Sequence, residues 1–282
     1  MRSIPADCPS PAALRRNRLA LTPFGLHKIV HWIQEFTPLM YGRRARIGRI
    51  NPSPETVGDE EWRRLMPDDV IVVSTRMFIE SVDPAGLTTM VTNVERAARE
   101  LATARPNVIL MAGTAGAFNG GLNFDSELSR RIEQASGGIP GTTTMTAVLD
   151  ALQALSIRKL AVATSYIDVV DKALTAVLTG SGIDVLAIKG MGILKSIDMG
   201  DVMPEQTYRF ASEVFDAAPN ADGYFISCGN LRTLETIAPL ERELGKPVIT
   251  SNQAGLWHAL RRAGVSSEGP GKAIGGRLFA VS

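Results

Sequence analysis

Cysteine is nearly absent, with Cys8 and Cys228 the only two thiols in 282 residues. So few rule out a disulfide framework and fit a reducing compartment. An excess of one charge is also missing: 30 Lys and Arg face 29 Asp and Glu. No net field therefore exists to hold nucleic acid or an anionic membrane, and a small molecule is the expected partner. A homo-oligomer is left open. No uninterrupted apolar run approaches the roughly 18 residues that cross a bilayer. Pro23, His27 and Lys28 interrupt the stretch where a signal peptide needs its apolar core. The expected location is cytoplasmic. What the chain does have is 45% hydrophobic and 21% charged residues, the composition of a folded globular protein. Its length exceeds the usual single domain, which points to two domains or one large double domain.

Residues 1–45 form an N-terminal extension rich in Arg and poor in acids, with one amphipathic stretch near 26–36. His27 and His31 stand four apart there, a spacing seen in zinc helices. No Glu follows His27 and no third ligand is evident, so they are taken as surface or packing residues. From residue 46 onward, short β-branched runs alternate with helix-length amphipathic stretches, the pattern of βαβ units and parallel sheet. Strands are expected at 46–50, 70–74, 108–111, 160–164, 185–188 and 224–227. Helices are expected at 89–104, 125–134, 146–155, 168–178, 204–217 and 234–244.

An internal repeat organises these pieces. Strand, "NPSPET" loop, strand, strand with "AGTAG" and "IPGTTTMTAVLDAL" recur as strand, "TSYID" loop, strand, strand with "SCGNL" and "KPVITSNQAGLWHAL". Ile47 matches Leu160, Gly113 matches Cys228, and Pro140 matches Pro247. The expected fold is α/β: two similar parallel-sheet, flavodoxin-like halves related by a pseudo-twofold, with the active site at their interface. The first half is 46–155 and the second 156–250. Residues 251–282 form a C-terminal helix and tail returning to the first half. Ligands of such sheets sit beyond the carboxyl ends of the strands, so the Gly113 and Cys228 loops should face one another across a cleft.

Cys228 follows the apolar run "GYFI" and precedes Gly229, where a buried strand emerges into a turn. Loop N–H groups there can stabilise a thiolate, although a buried inert cysteine fits the position equally well. Gly113, Thr114, Ala115 and Gly116 occupy the equivalent place in the first half. Small residues let the backbone approach an anion or simply make a tight turn. No Gly-Lys-Ser/Thr follows, so this is not a phosphate loop. Tyr166 ends the first strand of the second half. With Thr114 and Gly229 it would complete a ring of hydrogen-bond donors for a carboxylate or enolate.

The segments "GTAGAF", "TTTMTAVLDAL", "LAVATSYID", "DAAPNADGYFISCGNLRTLETI" and "GRLF" resemble the arylmalonate decarboxylases. These lie within the aspartate/glutamate racemase superfamily, which also holds maleate isomerases. The resemblance runs from about residue 45 to the C-terminus. Racemases and isomerases of this kind carry a cysteine in each half, whereas here, as in the decarboxylases, the first is Gly113. A chain with one thiol cannot remove a proton from one face and return it to the other. The resemblance therefore implies cofactor-free loss of carbon dioxide from a substituted malonate-type dicarboxylate, with Cys228 protonating the enediolate. It implies that Thr114, Tyr166 and the N–H groups of Cys228 and Gly229 hold the retained carboxylate. The departing carboxylate should lie on apolar surface.

Several positions depart from that pattern. Ala115 replaces a serine donor, Ser53 and Glu55 stand where the decarboxylases are apolar, and Arg76 falls near the end of the second strand. Asn230, Arg232, Asn252 and Gln253 look more like maleate isomerase, and Lys195 and Ser196 lie in the loop expected to build the apolar pocket. The candidate substrate-binding set is thus Gly113, Thr114, Ala115, Tyr166, Gly229, Asn230, Glu55 and Arg76 around catalytic Cys228, with no metal and no cofactor. Two other readings stay open. One is an isomerase-, racemase- or hydrolase-like enzyme on a small polar carboxylate or amide. The other is a catalytically silent carboxylate-binding protein.

Overall fold

The computed structural model describes residues 41–267 and 269–281. The amphipathic stretch at 26–36, the His27/His31 pair and Cys8 lie outside them. Eight strands form two parallel sheets. The first holds β1 (Ala45–Pro52), β2 (Val70–Met77), β3 (Val108–Met111) and β4 (Gly141–Thr143) in the order β2-β1-β3-β4. The second holds β5 (Lys159–Thr164), β6 (Asp184–Gly190), β7 (Gly223–Ser227) and β8 (Val248–Thr250) in the order β6-β5-β7-β8. The central strands β3 and β7 are buried along their whole length, which is why they read as unbroken apolar runs rather than alternating ones.

The two sheets repeat one another in register as well as order. Ile47 pairs with the first residue of β3, and Leu160 with the first residue of β7. The Ile109 N–H donates to Pro140 O at 2.9 Å, and at the matching place the Tyr224 N–H donates to Pro247 O at 3.0 Å. Thr143 caps the helix Thr144–Ala154 by accepting from the Thr146 N–H. Thr250 likewise caps Ser251–Arg262 by accepting from the Gln253 N–H. These two helices pack against each other, so the helix that follows the last strand of the second sheet lies on the first sheet's side. The pair Asp150–His258 at 2.9 Å and the Thr142–His258 hydrogen bond at 2.9 Å cross the same contact.

Some elements differ from those expected. β4 and β8 are three residues each, "GTT" and "VIT", too short for a period of two to register. The stretch 89–104 is two helices, Pro84–Val91 and Val94–Ala102. The first starts earlier because the Asp83 carboxylate accepts from the N–H groups of Ala85 and Gly86 and Pro84 takes the first helical position. Gly58–Leu65 is an additional helix. Its Trp62 is buried and donates Nε1–H to Asn252 O at 2.9 Å. No helix among the described residues is long and apolar enough to cross a membrane.

Glu61 of that additional helix reaches across to the second sheet. Its carboxylate accepts from the N–H groups of Thr233 at 2.7 Å and Leu234 at 2.8 Å and from Asn252 Nδ2 at 2.8 Å. It thereby caps the helix Leu234–Leu244, whose own N-cap side chain makes no such bond. A carboxylate at a helix N-terminus answers both the orphan donors and the dipole. Glu61→Ala strands two buried N–H groups and should lower the unfolding free energy by about 2–4 kcal/mol. Glu61→Gln, which keeps a carbonyl acceptor, should lose less. Urea titration of both variants checks this, and an alanine variant as stable as the parent would refute the capping role.

Candidate active site

In each sheet the chain leaves the central pair of strands in opposite directions, so a crevice opens at their carboxyl ends. The β1/β3 crevice and the β5/β7 crevice supply the walls of one cleft. From the first come Pro52, Glu55 and Gly113 to Gly116, and from the second Tyr166, Cys228, Gly229 and Asn230. Ile79, Val82, Leu87, Met90 and Met199 give it an apolar side. The segments carrying Val82 and Ser196 are stitched together by the Val82 N–H donating to Leu194 O at 2.8 Å and the Ser196 N–H to Glu80 O at 3.0 Å. The cleft is narrow: about 30 Å³ admits the centre of a water molecule, within some 380 Å³ of atom-free space that includes open solvent.

Cys228 is 5% exposed, and burial pushes its thiol up to about 11. The Ser165 hydroxyl and the N–H groups of Asn230 and Leu231 pull the other way, and the Glu55 charge adds to the rise. The expectation that loop N–H groups would stabilise a thiolate is corrected here: those groups are present, but desolvation outweighs them. The next helix begins only at Leu234, too far on to help. The sulfur rests 3.6 Å from Met199 Sδ. The upward shift of Cys228 favours the neutral thiol over the thiolate at neutral pH.

Gly113 adopts φ 95° and ψ 76°, a backbone conformation that strains any L side chain. A β-carbon there would stand 3.2 Å from Pro52 Cγ and 3.4 Å from Met90 Cε. Thr114 donates to Ser251 Oγ at 2.8 Å, and the Cys228 N–H donates to the same oxygen at 3.1 Å. The Cys228 N–H is therefore already engaged, a correction to its expected part in the donor ring. Tyr166 pairs with Ser227 Oγ at 3.2 Å and also meets the Thr114 hydroxyl. Burial holds its phenol well above the ordinary tyrosine value, so it stays a donor. Ser251 escaped sequence reasoning. Only the repeat signals it, since Ser251 follows the capping Thr250 as Thr144 follows Thr143.

Glu55 lines the cleft at 3% exposure. Its Oε1 is 2.7 Å from Nη2 of Arg49, which is itself 1% exposed. Oε1 is thus held by the Arg49 ion pair, while Oε2 has no hydrogen-bond partner among the described residues. Burial raises the Glu55 carboxyl above its ordinary value and Arg49 opposes the rise. Arg49 also pairs with Asp59 Oδ1 at 2.6 Å and stacks 4.7 Å over the Trp62 ring. Sequence reasoning missed Arg49, a charged residue within the strand expected at 46–50.

Other expected contacts are placed elsewhere. Arg76 does not reach the cleft. It donates to the carbonyls of Pro52, Ser53 and Glu55 at 3.3, 3.0 and 2.8 Å and pairs with Asp59, bracing the first loop from outside. Asn230 borders the cleft, yet its side chain is spent as a clamp: Oδ1 accepts from the Thr56 N–H at 2.8 Å and Nδ2 donates to Ser196 O at 2.8 Å. Ser53 ties to the backbone of Ile79. Asn252 lies beneath the cleft, donating to Gly229 O at 2.9 Å. Gln253 caps its own helix and donates to Gly275 O. Arg232 pairs with Glu235 at 3.7 Å away from the cleft, and Lys195 is exposed. Thr114, Ala115, Tyr166, Gly229, Glu55 and Gly113 do gather around Cys228. Among the described residues, no group of three or more His, Cys, Asp or Glu is disposed to hold a metal ion.

The architecture is that of a two-sheet parallel α/β protein with a thiol-bearing cleft where the sheets' switch points meet. The chain belongs to the arylmalonate decarboxylase family, whose profile matches residues 48–279. It is 36% identical to the arylmalonate decarboxylase of Bordetella bronchiseptica over 83% of this chain and 95% of that one. It is 27% identical to the maleate isomerase of Nocardia farcinica over 83% and 95% respectively. A crystal structure of a doubly substituted, liganded arylmalonate decarboxylase superposes with a TM-score of 0.74 at 34% identity, covering 78% of this chain and 93% of that one.

The thiol makes a direct prediction. A shift from 9 to about 11 leaves roughly a hundredth of the thiolate of an ordinary cysteine at neutral pH. In a Cys8→Ser background, iodoacetamide should label the folded protein about 100-fold more slowly than the urea-unfolded one at pH 7.5 (about mid-range for such assays). Because the thiol loses its proton only as pH climbs toward the raised value, labelling of the folded form should still be accelerating at pH 10. Equal rates for folded and unfolded protein would refute the raised value.

Proposed function

We propose that this chain is a cofactor-free decarboxylase of substituted malonate-type dicarboxylates in which Cys228 protonates the enediolate. The observation that carries the reading is a buried thiol lining a cleft in which the matching position of the first sheet is Gly113. Thr114 and Tyr166 hold the retained carboxylate, Thr114 turning its hydroxyl hydrogen from Ser251 to the substrate. The second carboxylate lies against Ile79, Val82, Leu87 and Met90, where its charge is poorly solvated and departure as neutral carbon dioxide is favoured. The breaking C–C bond delivers its electron pair into the retained carboxylate, and the hydroxyl donors stabilise the enediolate. The Cys228 Sγ–H then gives its proton to the α-carbon, and the resulting thiolate recovers one from water.

The isomerase alternative fares less well on physical grounds. Adding sulfur to a double bond requires a thiolate, and burial disfavours that form of Cys228, the thiol lining this cleft among the described residues. Decarboxylation needs no base, only an acid that acts once.

Carbon dioxide release from a panel of substituted malonates tests the reading, and release should persist after exhaustive chelation and dialysis. Activity lost on chelation and restored by a metal ion would overturn the cofactor-free mechanism. Absence of gas release from every malonate would favour the silent carboxylate-binding alternative.

Cys228→Ser should reduce turnover by about 10²–10⁴, the usual contribution of a positioned general acid. Gly113→Cys combined with Cys228→Ser should recover part of it with inverted product configuration, because the acid then approaches the opposite face. Recovery is limited by the left-handed backbone at Gly113. Chiral analysis of product from a prochiral malonate decides, and unchanged configuration in an active double variant would remove Cys228 as the proton donor.

A further inference from the structure

Resting on that reading, we propose that Glu55 sets specificity by accepting a hydrogen bond from an N–H or O–H on the substrate's α-substituent. The preferred substrates are then small malonate-type acids bearing a hydroxyl, amino or amide group rather than a purely hydrocarbon one.

Among the described residues, Glu55 is the only carboxylate lining the cleft. It is buried, and while Oε1 pairs with Arg49, Oε2 has no hydrogen-bond partner. Oε1 faces the Arg49 guanidinium. Oε2 turns toward the Cys228–Gly229 turn, where a β-carbon built on Gly229 would stand 3.4 Å from it. Buried polar atoms are nearly always paired in native structures, so an unpartnered Oε2 on a cleft-lining residue is an acceptor the protein itself does not satisfy.

The neighbours narrow what that donor is. Protein groups that could serve are committed elsewhere: Asn230 Nδ2 to Ser196 O and Pro54 O, and Asn252 Nδ2 to Glu61 and Gly229 O. Arg76 binds the loop only through its carbonyls and Asp59. With Glu55 held as the ionised partner of Arg49, a substrate carboxylate placed against it would meet like charge in a site of low dielectric. A hydrocarbon substituent would cover Oε2 and leave it unsatisfied. The retained carboxylate has Thr114 and Tyr166, and the departing one has the apolar side of the cleft. Only the α-substituent remains to meet Glu55, and only a hydrogen-bond donor satisfies it. The backbone is built to keep the carboxylate there, because Arg76 braces the loop from outside and Arg49 holds Oε1 from below.

Matched pairs in which a hydroxyl replaces a methyl test this on the full chain. Hydroxymalonate and methylmalonate are compared by kcat/KM for gas release, and lactate and isobutyrate by calorimetric binding. The binding pair reads Glu55 even where no malonate is turned over, so failure of this proposal is distinguishable from failure of the decarboxylase reading. Wild type should favour the hydroxyl member of each pair by at least about 10-fold, the scale of one buried hydrogen bond. Glu55→Ala should bring the ratio near one or reverse it. Should Glu55→Ala fold poorly with Arg49 half-unpaired, Glu55→Gln serves instead, keeping a carbonyl acceptor and part of the hydroxyl preference. Aminomalonate separates the two kinds of acceptor, since an ammonium should lose more than a hydroxyl on Glu55→Gln. A wild-type preference for the methyl members, no preference, or an unchanged preference in Glu55→Ala would each overturn the proposal.

Discussion

The cleft depends on a guanidinium buried beneath it. Arg49 points from the centre of β1 into a space bounded by Trp62, Asp59, Glu55 and Asn252. Taking such a charge out of water costs several kcal/mol, which only close, opposite partners offset. Two carboxylates supply that compensation, Glu55 from the loop after β1 and Asp59 from the first turn of the helix Gly58–Leu65. The loop is therefore folded back over Arg49 rather than free to extend into solvent. Gly58 makes the fit possible, because a β-carbon there would fall 2.2 Å from both Arg49 Nη2 and Glu55 Oε1. The same pinned loop presents Glu55 to the cleft and hands the Thr56 N–H to Asn230, joining the first sheet's loops to the second's.

Across the cleft the decisive factor is desolvation. Cys228 stands among Met199, Ser165 and Tyr166, and the removal of water outweighs the N–H groups around its sulfur. The same burial holds Tyr166 protonated. The site thus gathers neutral donors, a thiol, a phenol and a threonine hydroxyl, around a space bordered by the buried Glu55–Arg49 pair. Preorganised neutral donors stabilise charge as it develops without binding a resident counter-charge first. Gly113, held in a conformation that disfavours any side chain, leaves the opposite wall without an acid. Two otherwise matching loops thus differ at the one position where the second sheet carries its thiol.

Much of this was legible in the residues. Apolar runs gave the six longer strands, and the repeated order of blocks gave two equivalent sheets, because parallel strands buried on both faces have no freedom to be polar. The placement of Gly113 opposite Cys228 followed from the repeat alone, as did the nearness of Thr114 and Tyr166. The three-residue strands β4 and β8 were not legible, since pairing with a long neighbour rather than their own pattern makes them strands. The loop polar residues misled in both directions. Arg76 and Asn230 carry the right chemistry to bind a ligand, yet the backbone of neighbouring loops consumes it. Ser251, an unremarkable residue at the start of a helix, takes the Cys228 N–H.

By itself the sequence determined the two parallel sheets, their equivalence and the single thiol at the seam, because these depend on hydrophobic runs, turn residues and the identity of one position in each repeat. Only the tertiary structure decided the charge state of the thiol, the engagement of its N–H and the burial of Arg49 with Glu55. Those properties depend on how much water is excluded and on which partners, up to about 200 residues away along the chain, arrive within hydrogen-bonding distance. Desolvation and long-range pairing belong to the assembled fold, and no local pattern of residues encodes them.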